Sequence, residues 1–145
     1  MDAYEGHSLQ ALMRMRLLPI GLLLLLAACT PATPGDAGPF ADKILVTSPT
    51  AFQSVTSPLT VTGEARGTWY FEASFPVKLF DGNMNQITVE PAQAQGDWMT
   101  EDFVPISVTL TFTNPGTPNG FLLLQRDNPS GMPENDGSVL IPVQF

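Results

Sequence analysis

From Lys43 onward, apolar residues recur at every second position. Ile44 and Val46 alternate with Leu45 and Thr47 until Ser48-Pro49 interrupts the run, and Leu59, Val61 and Gly63 alternate with Thr60 and Thr62. Phe71, Ala73, Phe75, Val77 and Leu79 fill one face of what reads as the longest strand, against Tyr70, Glu72, Ser74, Pro76 and Lys78. A period of two marks strands with one face buried and the other wet. Asp81-Gly82-Asn83 supplies hairpin chemistry, with φ > 0 expected at Gly82 and Asn83, and Ile87 and Val89 open a return strand that Pro91 ends. Val104, Ile106, Val108, Leu110 and Phe112 alternate with polar residues, and Asn114-Pro115-Gly116 and Asn119-Gly120 bracket a turn. Phe121 to Leu124 is a continuous apolar run, the pattern of a strand covered on both faces. Val139, Ile141, Val143 and Phe145 return to the period of two. No segment has helical period. Seven or eight short strands at even spacing predict an all-β fold, an immunoglobulin-like antiparallel β-sandwich of about seven strands.

The first part of the chain reads differently. Arg14 and Arg16 precede Leu17–Ala28, an apolar stretch too short for the roughly 20 residues of a spanning helix but suited to a signal sequence. It ends in Leu26-Ala27-Ala28-Cys29, which resembles the bacterial lipobox, where the peptide is cut between Ala28 and Cys29 and the cysteine sulfur takes a diacylglycerol. With its amine acylated too, Cys29 places two or more chains in the bilayer, enough to hold where one chain holds marginally. Asp2 and Glu5 do not suit a signal n-region, which puts the expected start at Met13 or Met15. Residues 1–28 are thus read as signal peptide and 29–42 as lipidated cysteine and flexible tether, rich in Pro, Gly, Ala and Thr; 43–145 form the sandwich. About ten tether residues span at most roughly 35 Å. The expected location is the extracytoplasmic side of the cell envelope, with Thr30 after the cysteine pointing to the outer membrane in a Gram-negative cell.

Charge and composition narrow the partners. The net charge is -8, and because Asp2 and Glu5 cancel Arg14 and Arg16, all of it falls after Ala28. So acidic a surface excludes nucleic acid as a partner. The single cysteine cannot form an internal disulfide, and lipidation explains it.

Catalysis fails on inventory. His7, the one histidine, precedes the signal sequence, so the domain has no Ser-His or Cys-His pair. Glu101 and Asp102 are adjacent and would point to opposite faces of a strand, which does not suit a carboxylate pair for glycoside hydrolysis. Asp81, Asn83 and Asn85 have the one-three-five spacing of a calcium loop, but Gln86 and Ala92 stand where an EF-hand has Gly and Glu. They read as a turn, and no metal or cofactor is expected. Continuing the strand phase back to Trp69 buries it with Phe71 and turns Tyr70 outward beside Glu72. Trp98, after Asp97, reads as a plug over the sandwich end. Exposed Tyr70 and Trp98 would offer a stacking platform for a glycan or peptidoglycan, the alternative to an envelope protein as partner. Arg66 is expected to pin two loops through a bidentate pair with Glu72, Glu101 or Asp127. These eight residues, Arg66, Trp69, Tyr70, Glu72, Asp97, Trp98, Glu101 and Asp127, are the candidate binding or loop-pinning set.

Several separated blocks carry a family likeness. They are Ser57-Pro58-Leu59, the stretch from Gly63 through Trp69-Tyr70-Phe71 to Val77, Gly96-Asp97-Trp98-Met99-Thr100-Glu101-Asp102-Phe103, and Arg126-Asp127-Asn128-Pro129-Ser130-Gly131. Together they resemble the immunoglobulin-like domain of bacterial spore germination proteins, over residues 43–145. The resemblance implies an extracytoplasmic domain, often within a lipoprotein or a larger envelope protein, and attaches no enzymatic activity to it.

Overall fold

The computed structural model describes residues 39–145; Ala28, Cys29, the signal sequence and most of the tether lie outside the described residues. The strands are β1 (Ile44–Ser48), β2 (Gln53–Ser54), β3 (Leu59–Arg66), β4 (Ser74–Asp81), β5 (Gln86–Ala94), β6 (Phe103–Leu110), β7 (Asn119–Gln125) and β8 (Ser138–Gln144). Hydrogen bonding joins all eight in the order β1-β3-β6-β5-β4-β7-β8-β2. The weak link is β5 to β6, which pair only at Gln93↔Ser107 and Ala94↔Ile106. On one side of it β1, β3 and β6 form one sheet; on the other, β5, β4, β7, β8 and β2 form a second. Their inward residues, Val61, Ala65, Ile106 and Leu110 from the first and Val77, Leu79, Leu122 and Leu124 from the second, merge into one buried core. This is a sandwich. The end of β5 completes an A-B-E-D sheet (β1-β3-β6-β5), β4-β7-β8 are C-F-G, and the immunoglobulin-like arrangement follows.

Pro91 explains the weak link. The N–H of Ala94 donates to Ala73 O, so that pair is hydrogen-bonded, and alternation makes the facing Pro76 and Pro91 a non-hydrogen-bonded pair. The nitrogen of Pro91 therefore faces β6, where it has no hydrogen to give, and the ladder stops at Gln93. One residue thus frees the start of β5 for the second sheet and leaves its end in the first.

β1 begins and β3 ends at one end of the sandwich, where the loops 67–73, 95–102 and 126–137 also lie. We call it the entry end, since residues 40–43 lead into β1 there. At the opposite end Phe112 and Phe145 meet edge to face at 5.8 Å, and the N–H of Phe112 donates to Ser57 Oγ.

Several expectations are corrected. The strand read from Phe71 begins at Ser74, and the longest is β5, which runs through Pro91 to Ala94. Gly67–Trp69 forms a turn of 3-10 helix, and Glu72 and Ala73 take positive φ of 49° and 64°, so the alternation cannot continue back. Phe71, expected inside, is 42% exposed, whereas Tyr70, expected outside, is 5% exposed. In the hairpin, positive φ falls at Met84 rather than at Gly82 or Asn83. Glu101 and Asp102 lie in the loop before β6, not in a strand. The eighth strand is the two-residue β2, which pairs parallel with β8.

Candidate functional site

The entry end is built around Gly67. A Cβ there would run into the carbonyl oxygens of Trp98 and Thr100, so only glycine lets the 3-10 turn lie against the 95–102 loop. The turn sends Trp69 inward, 1% exposed, edge-on to Phe40 at 5.4 Å and to Phe75 at 6.4 Å. The next residue, Tyr70, also turns in. It tilts against Phe75 at 5.2 Å and donates its hydroxyl to Val104 O at 2.9 Å. Burial pushes its phenol from the ordinary 10.0 up to about 12. Trp98 is half-buried against the core. With Tyr70 inside, the two-ring platform for a sugar does not form.

The arginines pin the loops through backbone, not through acids. Arg66 donates from Nε to Asp42 O at 2.6 Å and from Nη1 to Glu101 O at 2.7 Å, with its guanidinium 4.2 Å over the Phe103 ring. The expected pair with a Glu72, Glu101 or Asp127 carboxylate is absent among the described residues; two backbone oxygens take Nε and one Nη1 hydrogen instead. Arg126 does the same, its Nε donating to Thr68 O at 2.8 Å, and the N–H of Asp127 reaches Trp69 O. Glu72 is exposed in its own turn, and the Asp97 carboxylate accepts from the N–H of Met99 within its loop. Of the eight candidates, Arg66, Trp69, Tyr70, Trp98, Glu101 and Asp127 meet at this end through side chain or backbone. Arg126, which was not among the candidates, is an equal partner; its place inside the Arg126–Gly131 block was the signal that marked it.

A second feature lies on the outer face of the second sheet. The row Val89-Lys78-Leu123-Leu140 runs across β5, β4, β7 and β8, and Phe80-Phe121-Pro142 runs beside it. Phe52 extends the second row, its N–H on Pro142 O and its ring 68% exposed. Leu140 is 48% and Val89 43% exposed. The outward positions of β4, β7 and β8 hold no carboxylate, and Lys78 is their one charge, donating to Gln125 Oε1 at 2.8 Å. The continuous run Phe121–Leu124 implied a strand covered on both faces; among the described residues only the inner face is covered.

Asp81 closes the β4–β5 turn. Its carboxylate accepts the N–H groups of Asn83 and Asn85 and the Asn85 side-chain amide at 2.8 to 2.9 Å. Those bonds, the Asn85 amide first, hold its pKa below the ordinary value. Asp81, Asn83 and Asn85 therefore bind one another as a turn. Among the described residues no three His, Cys, Asp or Glu side chains gather as a metal cluster.

Comparison with protein families matches residues 43–133 to the immunoglobulin-like domain of bacterial spore germination. The chain belongs to that family. Comparison with curated proteins and with solved structures found no match. In this spore-germination immunoglobulin-like domain, three of the four sequence blocks that carry the likeness converge on the entry end. Gly67 and Trp69, the 96–103 loop and Arg126 with Asp127 all touch there. The fourth, Ser57-Pro58-Leu59, lies at the opposite end against Phe112.

Proposed function

We propose that the chain is an envelope lipoprotein, anchored through acylated Cys29, whose immunoglobulin-like domain acts by holding another protein rather than by catalysis. The observation that carries the contact role is the outer face of β4, β7 and β8. It is apolar, free of carboxylates and contiguous in a domain that is otherwise strongly acidic, and faces of that kind mark interaction sites. The anchor rests on Leu26-Ala27-Ala28-Cys29 and the Pro- and Gly-rich segment after it, which would hold the domain within roughly 35 Å of the bilayer. A domain fixed that close to a membrane meets partners in two dimensions, so a weak apolar contact suffices. The non-catalytic reading is supported by the absence of any histidine or cysteine after Cys29.

Photo-crosslinking in the cell tests the contact. A crosslinking residue at Leu140 is expected to trap a protein that the same residue at Thr109, on the outer face of the first sheet, does not. Equal trapping at both positions, or none at either, overturns the reading. Labelling with a radioactive fatty acid tests the anchor: the wild-type chain incorporates label and Cys29→Ser does not. Equal incorporation would remove the lipid from the proposal and leave the contact face to be judged on its own.

A further inference from the structure

The described residues hold four basic side chains, Lys43, Arg66, Lys78 and Arg126. Three of them gather at the entry end of a protein whose net charge is -8. Lys43, Arg66 and Thr68 line one cleft of about 320 Å³ together with Asp42 and Glu101. Lys43, Thr68 and Arg126 line a second of about 270 Å³ with Phe40 and Trp69. Lys43 and Thr68 line both, so the two clefts adjoin, with Arg66 in the first and Arg126 in the second.

Both guanidinium groups are held, and neither pairs with a carboxylate among the described residues. Among the described residues the only ion pair joins Lys43 to Asp42, at 3.4 Å. Arg66 spends Nε and one Nη1 hydrogen on backbone carbonyls, and Arg126 spends Nε on Thr68 O. A guanidinium has five N–H donors, so each retains Nη hydrogens, and anchoring through Nε fixes the plane of the fork. Arginines positioned by backbone in this way are pre-organised to receive a planar oxyanion, because little side-chain freedom remains to be lost on binding. No carboxylate lines the Arg126 cleft, and with Asp42 paired to Lys43 it keeps one positive charge, which favours a monovalent anion over a polyanion. Phe40 supplies the apolar wall on the Arg126 side, packed edge-on against the buried Trp69 behind it, whose indole N–H has no acceptor among the described residues.

We infer that the cleft beside Arg126 binds a small carboxylate carrying an apolar or aromatic group, the carboxylate on the Nη groups of Arg126 with Lys43 beside it and the apolar part against Phe40. The site is independent of the apolar sheet face and of the anchor. Calorimetric titration of the leaderless chain from Thr30, which retains every core residue, tests it with phenylacetate, acetate and inorganic phosphate as probes, alongside amide NMR shifts at Thr68. Phenylacetate is expected to bind saturably and at least tenfold more tightly than acetate, with shifts centred on Thr68. Arg126→Gln is expected to weaken it about tenfold or more, and Lys43→Gln, whose exposed side chain holds no loop, severalfold. Lys78→Gln, on the distant sheet face, is expected to leave it unchanged. No saturable binding, or binding indifferent to both Arg126→Gln and Lys43→Gln, overturns the assignment. Phosphate binding tighter than phenylacetate overturns the carboxylate as the ligand.

Discussion

The two sheets of this sandwich bury the same core and present opposite outer faces. On the first, the outward positions of β3 and β6 read Thr60, Thr62, Glu64, Pro105, Ser107 and Thr109, which water solvates. On the second, Phe80, Phe121, Leu123, Leu140 and Pro142 stand at the equivalent outward positions. Burial of the core does not demand this difference, since both inner faces are equally apolar. Core burial leaves the apolar outer residues of the second sheet unaccounted for, and that is the ground on which a contact is proposed there.

That comparison can be tested from its strongest consequence downward. Leu110 and Leu122, one from each sheet, are both fully buried in the shared core. Leu110→Ala and Leu122→Ala are each expected to cost about 2–5 kcal/mol in chemical denaturation. A much smaller loss for one would mean that the sheets do not share one core.

Next in size is the entry end. Tyr70→Phe leaves Val104 O without its buried donor and is expected to cost about 1–2 kcal/mol. It also changes the alkaline limb. The folded-state pKa of Tyr70 is raised to about 12, so its contribution is whole below the ordinary 10.0 and is lost as pH climbs toward 12. Denaturation midpoints between pH 9 and 12 should fall less steeply in Tyr70→Phe than in wild type.

Outer-face substitutions separate stability from contact. Leu140→Ser and Thr109→Ser are each expected to change stability by about 0.5 kcal/mol or less. Only Leu140→Ser should reduce crosslinking to a partner, measured with the crosslinker at the neighbouring Leu123. If Thr109→Ser reduces it as much, the two faces are not functionally distinct.

The smallest effect is expected at the β4–β5 turn. The pKa of Asp81 is held low by the Asn85 and Asn83 donors, so its contribution is present above the ordinary carboxylate range and is lost as pH falls through the lowered value. Asp81→Asn should lower the melting temperature at pH 7 and flatten its acid-side decline. An unchanged acid limb would show that the turn does not depend on the carboxylate's charge.

By itself the sequence determined the all-β class, the inward residues of β1, β3, β6 and β8, and the entry-end blocks that carry the family likeness, because a period of two with Pro and Gly punctuation is a local signal. It misread Phe121–Leu124 as covered on both faces, because an unbroken apolar run looks the same whether or not anything lies over its outer side. Tertiary structure alone decided Tyr70. Period-two alternation assumes unbroken strand, and the 3-10 turn at Gly67–Trp69, which only glycine lets lie against the Trp98 and Thr100 carbonyls, breaks the phase together with the positive φ of Glu72 and Ala73. The partners of Arg66 were equally hidden, because carbonyl oxygens are present at every residue and no side-chain pattern announces which of them will face a guanidinium. Nor could spacing alone show that Lys43, Arg66 and Arg126, far apart in the chain, meet around Thr68. That meeting depends on which strand ends share one end of the sandwich, and the way the two sheets fold about the Pro91 break sets it.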